Sequence, residues 1–280
     1  MRRTSPCRVL DDKDLPDVRA LLARDPVANV FVAGRVEAAG LDPWRLGAEL
    51  WGYATAEGLA GVCFAGANLV PVGCSPAALT AFADRARRLG RRCSSIVGDA
   101  EQVLTLWRPL AASWGPPREV RPDQPLLALS APPLVLPDPL VRRAALADLD
   151  VVFPAAVEMF TEEVGVSPVE ADGGLLYRSR IAELILAGRS FLRTEGDQVV
   201  FKAELGAVSR SNAQIQGVWV HPDWRGKGLG TAGTAAVAAF ALGDGVSSVS
   251  LYVNSYNAPA RAAYARVGFR QIGTFASILF

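Results

Sequence analysis

The residues whose types and spacing could do chemistry begin at Gly217-Val218-Trp219-Val220-His221-Pro222-Asp223-Trp224-Arg225-Gly226-Lys227-Gly228-Leu229-Gly230. An apolar strand there passes through a proline turn into a basic glycine loop. Glycines at alternate positions, Gly226, Gly228 and Gly230, remove the side chains that would hold a ligand off the backbone, so successive N–H groups can converge on phosphate oxygens. Thr231 to Leu242 reads as a small-residue helix whose positive end faces the same anion, and Arg225 and Lys227 add full charges. The chemistry is pyrophosphate binding. It is not the Rossmann dinucleotide arrangement, which has a longer glycine spacing and an acidic residue at a following strand end, whereas Asp244 precedes its strand. A second block runs from the strand Val249–Val253 through Asn254-Ser255-Tyr256-Asn257-Ala258-Pro259-Ala260-Arg261 into a short helix with Tyr264, ending at Val267-Gly268-Phe269.

Val220, Pro222, Arg225, Gly226, Gly228 and Gly230, followed by Asn257, Ala260, Tyr264, Gly268 and Phe269, resemble the two motif blocks of the GNAT superfamily of acyl-CoA-dependent N-acetyltransferases. A glycine pattern alone is a weak sign, but both blocks in order are specific. The resemblance implies acetyl-CoA as co-substrate and no metal. The co-substrate would lie along Val218, Trp219 and Val220, on the loop Arg225, Gly226, Lys227, Gly228, Leu229, Gly230 and Thr231, and beside Asn254 and Asn257. In that family the strand before the loop and the strand after its helix part to admit the pantetheine arm. Gly217 stands where the opening bulge would be, as glycine inside a strand often does. A backbone N–H nearby would polarise the thioester carbonyl. Tyr264 would hydrogen-bond or protonate the leaving thiolate. Asn257 is read either as a contact to the arm or as a helix N-cap.

No residue announces itself as the base that deprotonates the amine. Glu204, on the strand neighbouring the loop strand, is the candidate, directly or through water, with a solvated hairpin carboxylate as its plain reading. Gln216 stands where relatives often carry a carboxylate, and an amide cannot serve. Glu162 and Glu163, read as part of a loop between two helices that borders the acceptor site, would attract a cationic amine or simply charge a helix end. His221, the only histidine, sits before the turn proline and is read as structural.

These groups need a frame, and the pattern along the chain supplies one. From residue 140 it reads strand (Leu140 to Arg143), helix (Leu146 to Phe160), acidic loop, helix (Gly174 to Ala187) and strands at Ser190, Val199 and Ala213. The glycine loop and its helix follow, then a strand at Val249, a helix from Pro259 to Arg266, and a last strand within Gln271 to Phe280. That is the GNAT order. A proline-dense stretch, Pro116 to Pro139, excludes a long helix and separates a domain at 1–130 from one at 140–280, with a short strand at Leu126 to Leu129 inside it.

The first half reads as a faint copy of the second. Asp14-Leu15-Pro16-Asp17-Val18 parallels Asp148-Leu149-Asp150-Val151-Val152 at a helix start, and the hairpin Leu50–Thr55/Leu59–Phe64 parallels Phe191–Thr194/Val199–Leu205. After Asn68 to Val72, however, Gly73-Cys74-Ser75-Pro76 carries no arginine and no further glycine. The expected fold is therefore α/β: two GNAT-like domains in tandem, each a mixed, mostly antiparallel sheet flanked by helices, the first copy degenerate and without the coenzyme loop.

Bulk composition narrows the partners. A net charge of +1 lacks the basic face that nucleic acid demands, half the residues are hydrophobic, and no apolar run is long enough for a membrane span. Cys7, Cys63, Cys74 and Cys93 show no metal-ligand or disulfide spacing; Cys74 at a helix start is read as a buried thiol in preference to a stabilised thiolate. Met1–Pro6 leads into no signal-type apolar segment, which points to the cytoplasm. The function implied is transfer of acetyl from acetyl-CoA to an amine, small molecule or protein N-terminus, in a ternary complex. Two other readings are an acyl-CoA-binding regulatory protein without turnover and a tRNA-dependent aminoacyl transferase of the same fold. Walling off the acceptor site and forming a homodimer are both open to the first half.

Overall fold

In the computed structural model, which describes residues 7–170 and 173–280, the opening segment Met1–Pro6 read above lies outside the described residues. The chain divides into two units. The first holds β1 (Cys7–Val9), α1 (Leu15–Leu22), α2 (Val30–Ala39), α3 (Pro43–Leu46), β2 (Glu49–Thr55), β3 (Gly58–Ala65) and β4 (Asn68–Val72). It continues with α4 (Pro76–Leu89), β5 (Ser95–Asp99), α5 (Ala100–Trp107) and α6 (Ala111–Trp114). β6 (Glu119–Leu129) then runs from the first unit into the second, longer than the four residues expected, because proline excludes helix but fits extended chain.

The second unit holds β7 (Arg142–Arg143), α7 (Leu149–Val164), α8 (Leu175–Leu186), β8 (Ser190–Glu195), β9 (Gln198–Val208) and β10 (Asn212–Val220). α9 (Leu229–Gly243), β11 (Ser248–Tyr252) and α10 (Ala258–Val267) complete it. β12 (Arg270–Leu279) pairs antiparallel with β5, so residues 271–280 cluster with the first unit although they follow the second in sequence.

Strand alternation explains the first unit's two cores. Leu50, Val62, Phe64 and Val70 face one way, against Val18 and Leu21 of α1 and Val32 of α2. Trp51, Cys63 and Leu69 face the other, against Phe82 of α4 and Leu106 of α5, together with Ile278 of β12. With period two, alternate residues must part to opposite faces, so a helix layer is needed on each.

The two units share an element plan. In each, a strand arginine forms a forked pair with an aspartate six residues on: Arg8 with Asp14 and Arg142 with Asp148. Each aspartate also accepts the amide three residues before it, from Asp11 and Ala145. The arginine beside each carboxyl holds it below its ordinary range. An antiparallel run follows in both units, and β4 pairs parallel with β5 as β10 does with β11.

In the turn after β4 the backbone amides are already taken within the protein. The Cys74 amide donates to Gln102 Oε1, Ser75 to the Ala60 carbonyl, and Ala78 to Ser75 Oγ, while Pro76 has no N–H. Cys74 is a thiol: its Sγ donates to the Val62 and Val72 carbonyls, and burial pushes its pKa up to about 12.

In the second unit Met159 and Ala156 of α7, Ile181 of α8 and Trp219 of β10 form one core. On the opposite face α9 approaches β9 closely enough that a Cβ on Gly233 would lie 2.6 Å from the Phe201 ring. Gly233→Ala should therefore lower stability by about 1–3 kcal/mol through overpacking. A thermal melt that matches wild type would refute this packing account. Among the described residues no helix is long and apolar enough to cross a membrane, and no cluster of three or more histidine, cysteine or acidic side chains stands as a metal site.

Candidate active site

The candidate site grows from β10. Its parallel register with β11 is Asn212 to Ser248, Ala213 to Val249 and Gln214 to Ser250, and it stops there while β10 runs on to Val220. Ladder pairing between the two strands ends at that point. On the other side β10 stays paired with β9, but the register jumps from Gln216–Glu204 to Trp219–Lys202, leaving Gly217 and Val218 as a bulge. Gly217 takes φ +56, a left-handed value that only glycine reaches cheaply.

Beyond β10 the chain turns through Pro222–Trp224, capped by His221, whose Nδ1 accepts the Asp223 amide. Imidazole here is a turn cap. The loop then presents Gly226 at φ +73 and Gly228 at φ +84, and a Cβ at either would meet nothing within 4 Å. Arg225 N–H is taken by the Pro222 carbonyl and Thr231 N–H by that of Gly228. Among the described residues, the amides of Gly226, Lys227, Gly228, Leu229 and Gly230 between them donate to nothing in the protein. The open row is thus narrower than the span from Arg225 to Thr231, and it lies at the positive end of the long helix α9.

Arg225 Nε donates to the Val220 carbonyl, and its Nη2 donates to both Glu162 oxygens at 2.9 and 2.8 Å. Lys227 Nζ stands 4.8 Å over the Trp224 ring. Glu162 and Glu163 do not sit in a loop; they occupy the last turn of α7, which Gly165 ends at φ +77. Glu162 is committed to Arg225, whereas Glu163 lies within electrostatic reach of Tyr264. Of the other loop residues, Leu229 is buried and Thr231 half-buried. Trp219 is 4 % exposed, so it can offer a ligand only its backbone.

Tyr264 lies on α10, which packs on α9, and its ring meets Phe269 edge-on at 6.2 Å. It is 8 % exposed, and burial, then the charge of Glu163, push its pKa up. Asn257 caps α10 by accepting the Ala260 amide at Oδ1. Asn254 falls in the segment that clusters with the first unit, where its Oδ1 accepts from Gln124.

Two residues that the sequence did not single out join Glu204. Lys202 is 0 % exposed and donates to Glu204 Oε2 at 3.3 Å and to the Gly217 carbonyl at 3.2 Å. Tyr177 of α8 donates to the Ala156 carbonyl; burial, then the Glu204 charge, raise its pKa. A lysine flanked by Phe201 and Ala203 on an inward-facing strand was the available signal for the first.

Residues 171–269 match the Acetyltransferase (GNAT) family and residues 48–152 match DUF4081, a domain of unknown function. A mycothiol acetyltransferase of Clavibacter michiganensis is 36% identical over 99 residues, 35% of this chain and 28% of that protein. The chain therefore aligns with little more than a quarter of that relative. Among solved structures, a Drosophila protein superposes with TM-score 0.70 at 13% identity over 99% of each chain. A tandem GNAT protein from the clavulanic acid biosynthesis pathway does so with TM-score 0.56 at 16% identity over 98% of each. Identities this low speak for fold alone. With both motif blocks, the open loop and the repeated element plan in hand, the chain is one that carries a GNAT acetyltransferase domain joined to a DUF4081 domain, in a two-domain architecture resembling tandem GNAT proteins.

Proposed function

We propose that the second unit moves an acetyl group from acetyl-CoA to an amine by direct attack in a ternary complex. The observation that carries this reading is the run of unpartnered amides from Gly226 to Gly230 at the start of α9, beside Arg225 and Lys227. Those groups would hold the diphosphate. Bound acetyl-CoA would supply an activated thioester in the opening between β10 and β11. Val218 N–H, at the bulge, would then donate to the thioester oxygen, and the Tyr264 hydroxyl would donate a proton to the departing sulfur. Glu204 is the side chain proposed to take the amine proton, through water.

One observation favours a second reading, acyl-CoA binding without turnover: Glu204 is already engaged by Lys202, and the residue opposite it is Gln216. Release of free CoA thiol, measured across small amines, amino sugars and peptides with free N-termini, tests the choice. The relative's name adds mycothiol chemistry to that panel. Turnover on at least one acceptor is expected. Tight acetyl-CoA binding with no release on any of them would make the protein a sensor.

A further inference from the structure

We propose that Lys202 is a positioning residue whose buried ammonium grips the Gly217 carbonyl and thereby aims and polarises the Val218 N–H. The carbonyl is freed by the bulge, because the β9–β10 register passes over Gly217 and Val218. The carbonyl is half-buried, and Lys202 Nζ provides it with a charged donor at 3.2 Å. In a trans peptide the C=O of one residue and the N–H of the next point in opposite directions. Holding Gly217 O toward Lys202 Nζ, which stands with Glu204 and Met159 of α7 at this glycine, therefore turns Val218 N–H to the far side of that peptide. A charged donor on the oxygen also draws electron density from the peptide nitrogen, which makes its hydrogen a better donor.

Packing alone does not account for a lysine here. Burying an ammonium costs more than burying a methionine of similar length, so ion pairing with Glu204 is a poor reason by itself. The surroundings are tight as well: a Cβ on Gly217 would lie 3.1 Å from Lys202 Nζ, 3.1 Å from Met159 Cε and 3.2 Å from Glu204 Cδ. Lysine, bulge and carboxylate form one locked unit.

The inference rests on the acetyl-transfer reading only in taking Val218 N–H as the donor to the thioester. Lys202→Met should move the Val218 amide proton resonance upfield and slow turnover about 100-fold, the scale of an oxyanion donor, with acetyl-CoA affinity within about threefold of wild type. Unchanged turnover, or turnover and affinity lost together, would overturn it. The K202M/E204Q double variant leaves no unpaired buried charge and should keep the upfield shift; a return to the wild-type shift would reduce Lys202 to a counter-ion. Should neither variant fold, a scalar coupling between Lys202 Nζ and the Gly217 carbonyl carbon in the wild-type chain is the expected result, and its absence overturns the clamp. If the wild type turns over no amine, the acetyl-transfer reading fails while the resonance data still decide the clamp.

Discussion

Gly228→Val is expected to raise the Kd for CoA about 100-fold, because charge-assisted contacts to a phosphate contribute about 1.5–3 kcal/mol and the loop would lose more than one. The glycine stands at φ +84, where a β-branched residue is strained by about 1–2 kcal/mol. Relief of that strain must rotate the peptides on either side. The amides of Gly226 to Gly230 would then no longer point to one place. A Cβ at this position meets nothing within 4 Å, so no steric clash adds to that strain and the melting temperature should fall by only a few degrees, about 2–8 °C. Arg225→Ala is the milder companion, since its guanidinium is already shared with Glu162 and the Val220 carbonyl. Calorimetric titration of CoA checks both. Wild-type affinity in Gly228→Val would remove the loop from the coenzyme site.

The second large effect is expected at Tyr264. Tyr264→Phe deletes one hydroxyl and no packing surface, and kcat should fall about 100-fold with the KM for acetyl-CoA nearly unchanged, as loss of a general acid predicts. Burial and the Glu163 charge both raise the phenol's pKa, so the proton is present at every pH below the ordinary tyrosine value of about 10. The sign follows directly: the group is a neutral donor throughout that range, and the wild-type pH–rate profile should show no loss from its ionisation there. A phenylalanine variant with full kcat would leave Tyr264 as a core residue of α10 packed on Phe269.

Much of the site could be read before the fold was known. Gly226 and Gly228 stand in left-handed conformations because a tight turn into a helix demands them, and such demands are met within a few neighbouring residues. The same locality made the Ser75-Pro76 helix start and the hairpins of both units legible. The acidic end of α7 was misread as loop because Gly165, not the glutamates, decides where that helix stops.

The sequence by itself determined the left-handed glycines of the loop, the bulge glycine and the element order, since each follows from backbone preference or side-chain period over a short span. Only the tertiary structure decided that Glu162 would pair with Arg225 and that β12 would add to β5 beside the first unit. It also decided that Lys202 would be buried against the Gly217 carbonyl. Those outcomes depend on which distant segments meet, and strand pairing and buried charge take their free energy from neighbours that adjacent residues cannot specify.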